Sequence, residues 1–189
     1  MRVVRGIVRW VVIFLAGIAV AGGYFWLTAA RQGVVAVGPW RTSLVVGSAD
    51  ADMATRTLVA VNGLLALNRS ETIYFEARTD DDGHRLKATC DYDLTGGPLD
   101  ARWWSITAYA DDNFLISNSA NRYSFNVKAL GSAQYTIALG PHQRSGNWLP
   151  TGERGGFSLS LRLYNPGAAL AAAPGSAKLP SIKPVGGCS

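Results

Sequence analysis

Two segments in which polar and apolar residues alternate carry the side chains best suited to bind a ligand. They are FSLSLRLY (157–164) and RWWSITAY (102–109). Alternation gives each strand one apolar face and one aromatic-polar face. If the two strands are neighbours, the aromatic-polar faces pool rings, hydroxyls and a guanidinium, a mixture that suits a sugar. The candidate ligand-binding residues are Trp103, Tyr109, Arg162 and Tyr164, with Asn147 and Trp148 bordering them from a turn-rich loop.

Simpler explanations of these residues stay open. The aromatic rings would be covered if the C-terminal segment or a helix packed on them, and Arg162 would be neutralised by a neighbouring carboxylate. A second polar cluster comprises Asn118, Asn121, Arg122 and Tyr123. Because Asn side chains reproduce the hydrogen bonds of backbone turns, this cluster favours a structural corner over a binding loop.

No pattern in the sequence predicts catalytic residues. The histidines, His84 and His142, fall in a predicted turn and a loop, and neither G-x-S-x-G nor H-E-x-x-H occurs. A hydrolase that uses paired carboxylates needs no local motif. An envelope saccharide or ester hydrolase is therefore the alternative function. Its acids would come from Glu71, Glu76, Asp91 and Asp93.

The acidic run at residues 80–83, Asp-Asp-Asp-Gly, does not predict a metal site. It lacks the spaced oxygen ligands and the closing Glu of an EF-hand loop. Asp-Gly is instead a favoured dipeptide of tight hairpins. We expect an exposed turn here and no metal. No cofactor is expected either, because no Gly-rich phosphate loop opens a helix.

The elements that would position the candidate residues are mainly β-strands. Runs of alternating residues bounded by turn residues predict half-buried strands. About eight such strands at close spacing are typical of an antiparallel sandwich or barrel. The predicted strands are residues 42–46, 71–78, 85–94, 102–109, 113–117, 123–128, 134–139 and 157–164.

One amphipathic helix is predicted between the first two strands. Ser48 or Asp50 would cap it, and Asp52 suits its first turn. We expect its apolar stripe to cover one side of a sheet. The stripe consists of Ala54, Leu58, Val61, Leu64 and Leu65.

Residues 10–30 contain no charged side chain and are almost wholly apolar. A helix of that length spans roughly 30 Å, the thickness of a bilayer's hydrocarbon layer. Three arginines precede the segment and one, Arg31, closely follows it. The positive-inside rule therefore predicts a single-pass inner-membrane protein with a cytoplasmic N-terminus and a periplasmic C-terminal domain. The alternative is a signal peptide cleaved after the small residues 19–21.

The two cysteines, Cys90 and Cys188, either form a disulfide or remain as free thiols. Export would place them in a compartment where disulfides persist. Closing a loop of about 100 residues would contribute about 4–5 kcal/mol in the chain-entropy model. However, Cys90 lies at a core position of its predicted strand, where a lone thiol would be buried. The sequence leaves both states open.

Composition narrows the class of protein further. The chain of 189 residues is 48% hydrophobic and 16% charged, so it can bury a core and is not disordered. Its net charge of +5 falls to about +2 without the three arginines near the N-terminus, and a nucleic-acid partner is not expected. Residues 167–189 are rich in Ala, Gly and Pro, which predicts a tail without its own core.

Four strings resemble those of a known bacterial family. They are RWWSITAYADDNFLISNSANRYSFN (102–126), NWLP (147–150), FSLSLRLYNP (157–166) and LPSIKPV (179–185). The chain resembles the domain of unknown function 1214 over about residues 71–185. The resemblance implies a jelly-roll-like β-sandwich and no established activity. Many members carry a second, N-terminal domain (domain of unknown function 1254). This chain resembles the short exported members that have a membrane segment instead.

These expectations describe a membrane-anchored periplasmic binding or assembly module of unknown ligand. Its partners would be the lipid bilayer, through residues 10–30, and an envelope glycan or a membrane protein. The further alternative is an accessory subunit of an inner-membrane complex. The predicted regions are a cytoplasmic N-terminus (1–9), the span (10–30), a linker with a strand and a helix (31–70), the sandwich (71–166) and the tail (167–189).

Overall fold

The computed structural model describes residues 2–29, 33–61, 66–131 and 133–188. Within them the helices are α1 (Arg2–Ala29), α2 (Met53–Val61), α3 (Val127–Leu130) and α4 (Ala168–Ala172), and a 3₁₀ turn spans Pro174–Ser176. The strands are β1 (Val34–Val37), β2 (Trp40–Ser43), β3 (Thr72–Ala77), β4 (Asp91–Gly96), β5 (Ala101–Ala110), β6 (Ser124–Asn126), β7 (Tyr135–Gly140), β8 (Asn147–Pro150), β9 (Phe157–Pro166) and β10 (Ser181–Val185). The prediction of a mainly β protein with an apolar N-terminal helix is confirmed.

The larger sheet has six strands in the order β1-β2-β3-β9-β5-β6, and all its neighbours are antiparallel. The long strand β9 lies between β3 and β5. Its register places Arg162 opposite both Tyr74 and Ser105. Since side chains alternate along a strand, these three residues form one row on one face of the sheet.

The smaller sheet has four strands in the order β10-β4-β7-β8. Its neighbours are antiparallel except for β7 and β8, which run parallel with Leu139 opposite Leu149. The prediction that Asn147 and Trp148 lie in a turn-rich loop is wrong, because both belong to β8. Four residues are too short to show a period of two, so the strand carried no local signal.

The two sheets enclose one hydrophobic core, as the apolar faces of two packed layers require. The larger sheet contributes the leucines of β9, and the smaller sheet contributes Ile137 and Leu139 of β7. Trp104 of the larger sheet stacks on Tyr135 of the smaller one, with ring centroids 5.1 Å apart. The indole N–H of the fully buried Trp40 donates a hydrogen bond to the Pro180 carbonyl at 2.7 Å.

Helix α1 contains a stretch, Val4–Phe25, that is long and apolar enough to cross a membrane. None of the stretch's most hydrophobic part is buried against the rest of the structure. Length and composition therefore fit a membrane span. The same properties are shared by signal sequences.

Helix α2 differs from the amphipathic helix that the sequence predicts. Its last residue, Val61, is 78% exposed, and the principal helix or strand that α2 contacts is α1 rather than a sheet. Its first turn is capped by Asp52, whose carboxylate accepts the Thr55 N–H at 2.7 Å, and not by Ser48 or Asp50. The predicted stripe residues 64 and 65 lie outside the described residues.

The C-terminal segment packs on the core more than its composition indicates. Leu170 in α4 is buried in the core cluster, and β10 pairs with β4 at the edge of the smaller sheet. Pro184 lies within β10. Proline weakens the sequence signal of a strand, yet an edge strand tolerates it because one row of its N–H groups is unpaired.

Four of the predicted strands are displaced or shorter than the alternation suggests. Of the predicted strand 42–46, only residues 42 and 43 are in a strand, at the end of β2. Residues 85–90 make only isolated bridges before β4 begins, and in the predicted strand 113–117 only Leu115 forms a bridge, to Tyr109. Strand β6 ends at Asn126, whose side-chain oxygen accepts the N–H groups of Lys128 and Ala129 and so starts α3. Asn is a preferred helix cap, and this local signal competes with strand continuation.

Candidate functional site

Strands β5 and β9 bring four of the predicted site residues onto one face. The strands pair antiparallel, with Trp103 opposite Tyr164 and with Ser105 opposite Arg162. We call this surface, on the side of the larger sheet away from the core, the outer face. It consists of Tyr74 and Glu76 of β3, Trp103, Ser105, Thr107 and Tyr109 of β5, and Ser158, Ser160, Arg162 and Tyr164 of β9.

Arg162 is held on the outer face by neutral groups. One guanidinium N–H donates to the Thr107 hydroxyl at 3.1 Å, and another donates to the Tyr109 hydroxyl at 2.5 Å. The guanidinium carbon also lies 5.5 Å from the centroid of the Tyr109 ring, within range of a cation–π contact. In the described part of the chain, Arg162 has no carboxylate within ion-pair distance. Its positive charge is therefore oriented but not neutralised.

The aromatic residues beside Arg162 remain accessible. Trp103 and Tyr164 meet edge to face, with centroids 5.2 Å apart, and both are half-buried. Tyr109 is also half-buried, whereas the smaller Ser105, Thr107 and Ser158 are buried. The three aromatic rings are therefore only partly covered. The outer face presents aromatic rings next to oriented hydroxyl groups and the guanidinium of Arg162.

Asn147 and Trp148 do not border the outer face. They lie in β8 of the smaller sheet, where Trp148 is only 7% exposed and its indole N–H donates to the Gly140 carbonyl at 3.1 Å. The Asn147 amide donates to the Thr136 carbonyl at 3.3 Å. Both side chains thus stabilise the smaller sheet. The outer face therefore contains four of the six predicted site residues.

A cleft of about 160 Å³ adjoins the outer face and was not predicted. It lies beside β2 and β3, and its lining includes Tyr74 and Glu76 of the outer face together with Arg41 and Arg69. Arg41 lies opposite Glu76 in the sheet, and Glu76 also forms an ion pair with Arg78 at 2.7 Å. The carboxylate of Glu76 in this cleft is therefore already ion-paired, and the arginines of the cleft lie around it.

The four acids considered for a hydrolase do not form a facing pair. Glu76 lies in β3 of the larger sheet and Glu71 in the turn before it, whereas Asp91 and Asp93 lie in β4 of the smaller sheet. Glu76 is paired with Arg78, and Asp93 is paired with Arg144 at 2.8 Å. Glu71 lies beside Asn165, and one oxygen of Asp91 is buried without a partner. Separate environments of this kind do not supply the acid and base that glycoside hydrolysis needs.

The acidic run near residue 80 forms a turn. One Asp80 oxygen accepts the backbone N–H groups of Asp82 and His84, at 3.1 and 2.8 Å, as in an Asx turn. The side chains of Asp80, Asp82 and His84 lie close enough to hold a cation, but two of the three are exposed. The hydrogen bonds of Asp80 to the backbone explain why these three side chains lie together, since all three belong to one turn.

The polar cluster at residues 118–123 is also a turn. The Asn118 amide group donates to the carbonyls of Ile116 and Arg122, and its oxygen accepts the Arg122 N–H. The Arg122 guanidinium donates to the Trp148 carbonyl at 3.1 Å. Asn121 takes a positive φ of 48°, a conformation that Asn tolerates better than most residues. The cluster joins the two sheets at a corner.

Asp111, Tyr92 and Tyr135 have shifted pKa values. The pKa of Asp111 is lowered by the Gly156 N–H, which its carboxylate accepts at 2.8 Å, and by Arg85 at 2.6 Å. These contacts tie the end of β5 to the start of β9. Burial raises the pKa values of Tyr92 and Tyr135 above 10.0, because the phenolate is disfavoured away from water.

Cys90 and Cys188 form a disulfide in the structure. Cys90 is part of the buried core cluster, and Cys188 packs against that cluster from the end of the C-terminal segment. The bond therefore fastens the residues that follow β10 to the body of the protein.

The fold and the outer face define a two-sheet β protein with an accessible aromatic-polar surface. The chain belongs to the family described as "Protein of unknown function (DUF1214)", whose model matches residues 71–168. No curated protein matches the chain.

Two solved structures are similar to this chain. The VPA0106 protein from Vibrio parahaemolyticus is 26% identical, with a TM-score of 0.58, and the match covers 72% of this chain and 36% of that one. A putative uncharacterized protein from Burkholderia cenocepacia is 18% identical, with a TM-score of 0.42, over 61% of this chain and 29% of that one. The chain thus spans about a third of the length of these relatives.

Proposed function

We propose that the protein is a non-catalytic binding module that holds an envelope saccharide at the periplasmic surface of the inner membrane. The observation that carries the proposal is the outer face, where half-buried aromatic rings lie beside hydroxyls and an arginine that has no carboxylate partner among the described residues. A sugar ring stacks its apolar side on such rings, and its hydroxyls need directed donors and acceptors.

The proposal includes the position of the module in the cell. Helix α1 anchors the chain by a single span, with the three N-terminal arginines in the cytoplasm and the β domain in the periplasm. The two sheets form a jelly-roll-like sandwich on this anchor. An enzyme reporter that is active only in the periplasm, fused after residue 189, is expected to be active. A cytoplasmic reporter at the same place is expected to be inactive.

The binding role is tested with the full chain in mild detergent and with saccharides released from the envelope. We expect wild-type protein to retain a saccharide fraction and Trp103→Ala to lose most of that retention. Trp103→Phe keeps an aromatic ring and serves as the matched control, so it is expected to retain binding. Equal retention by wild type and Trp103→Ala would contradict the proposal.

A further inference from the structure

We infer that the saccharide is acidic, and that its carboxylate binds Arg162 while an adjoining sugar ring lies against Trp103 and Tyr164. The inference rests on the proposed function and adds the chemical class of the ligand. It starts from the charge of Arg162. The two hydroxyls that Arg162 contacts are neutral, so they orient the guanidinium without compensating its charge.

The guanidinium has donors available for an anion. Arginine carries five N–H groups in a planar fork. Two of them are used by Thr107 and Tyr109, and within the described residues the other three have no acceptor. A carboxylate fits such a fork with two parallel hydrogen bonds, which are stronger than bonds between neutral groups.

The neighbouring charges favour an anion rather than a cation. Glu76 is the acid of the outer face, and it is engaged by Arg78 at 2.7 Å. Arg41 lies opposite Glu76 in β2, on the same side of the sheet. Two further arginines therefore accompany Arg162, against one acid. The partly buried position of Arg162 weakens solvent screening of its attraction for an anion.

The aromatic pair lies at the distance of one sugar unit from the cation. Tyr164 and Arg162 are two residues apart in β9, which places them on the same face and about 6.6 Å apart along the strand. Trp103 lies opposite Tyr164. A saccharide with one carboxylate therefore has its charged group and a ring face within reach of this surface.

The test uses the full chain in mild detergent and two trisaccharides that differ only in charge. One is tri-galacturonate, and the other is the same trisaccharide with its carboxylates reduced to alcohols. Isothermal titration measures the affinity of wild type, Arg162→Gln and Arg162→Lys for both. The matched control is Arg144→Gln, which removes a half-buried arginine from the loop between β7 and β8, where it pairs with Asp93 of the smaller sheet. Thermal unfolding of each variant reports whether it is folded.

We expect wild type to bind tri-galacturonate at least about tenfold more tightly than the reduced trisaccharide, the effect of a charge-assisted hydrogen bond. Arg162→Gln is expected to bind both sugars with the lower affinity, and Arg162→Lys to fall between because it keeps the charge and loses the fork. Arg144→Gln is expected to keep the preference. Inorganic phosphate at matched ionic strength is expected not to displace tri-galacturonate.

Three results would overturn the inference. They are equal affinity of wild type for the two sugars, an unchanged preference in folded Arg162→Gln, and displacement by phosphate. If Trp103→Ala still abolishes retention of envelope saccharides while wild type shows no preference for the acidic sugar, the inference fails and the proposed function stands. If wild type retains no envelope saccharide at all, the proposed function itself fails.

Discussion

An arginine and a tryptophan lie on or beside each of the two sheets, in different environments. On the smaller sheet, Arg144 binds the Asp93 carboxylate at 2.8 Å and Trp148 is buried. On the larger sheet, Arg162 binds two hydroxyls and Trp103 is half-buried. The same residue types therefore stabilise the fold in one place and remain available to a ligand in the other.

The comparison shows that residue type alone does not define a site. The charge of Arg144 is neutralised by the Asp93 carboxylate, and the indole N–H of Trp148 is satisfied by the Gly140 carbonyl. Arg162 has polar partners that fix its direction but not its charge. A surface whose charged group is held in place but not neutralised is the better candidate for binding, because a ligand can supply the opposite charge.

The largest expected effect concerns the edge of the smaller sheet. Replacing Cys90 and Cys188 by serine releases the residues after β10, and the lost loop constraint is expected to lower the free energy of unfolding by about 4–5 kcal/mol. Chemical denaturation of oxidised wild type and the double variant measures the difference. The outer face contains neither cysteine, so saccharide binding by the folded fraction is expected to persist. A denaturation midpoint that the substitutions leave unchanged would contradict this role of the bond.

The tryptophans give the next largest contrast. Trp148→Ala empties a buried site and is expected to lower the free energy of unfolding by about 3–5 kcal/mol. Trp103→Ala removes a half-buried ring, so we expect a smaller loss of stability and the larger loss of binding. Thermal unfolding and saccharide retention, measured on both variants, separate the two roles. The comparison is wrong if Trp103→Ala destabilises the protein more than Trp148→Ala does.

The arginines give a smaller contrast in stability. Arg144→Gln breaks a partly exposed ion pair with Asp93, and such pairs contribute about 1 kcal/mol or less. We therefore expect a slightly lower melting temperature and normal binding. Arg162→Gln has no ion pair to lose and is expected to change binding more than melting. Melting curves at low and high salt check the assignment, since wild type and Arg162→Gln should lose the stabilisation of the Arg144–Asp93 pair as salt rises and Arg144→Gln should not.

The smallest expected effect is a pH dependence at the end of β5. The pKa of Asp111 is lowered from its ordinary value of 3.8 by the Gly156 N–H and by Arg85. Its stabilisation is therefore present above about pH 3.8 and is lost as the pH falls through the lowered pKa. Asp111→Asn is expected to show a flatter loss of stability in this acidic range. Superimposable pH profiles for wild type and variant would show that these contacts contribute nothing.

The strand pattern predicted much of the fold because each long strand has one buried and one accessible face. The apolar residues of β9 and of the central part of β5 are buried as the alternation requires. The short strands β8 and β10 escaped prediction, since they have four and five residues and are defined by pairing with distant segments. Asn126 is a recognisable N-cap for the helix that follows it, but the alternation of polar and apolar residues does not reveal caps.

The candidate site was partly predictable for the same reason. Alternation indicates that Arg162 and Tyr164 share a face, but only the register of β5 against β9 places Thr107 and Tyr109 within reach of the guanidinium. Register depends on long-range pairing and not on either strand alone. Trp103 lies in an alternating segment and Trp148 does not, and the burial of Trp148 in the smaller sheet depends on pairing with β7 that the local sequence does not show.

The most direct test of the central claim is hydroxyl-radical footprinting of the full chain with and without tri-galacturonate. If the outer face is the binding surface, Trp103, Tyr109 and Tyr164 become protected when the sugar is added. The exposed Phe114 and the buried Trp148 keep their rates of labelling. Protection elsewhere on the chain, with unchanged labelling of Trp103, would contradict the account.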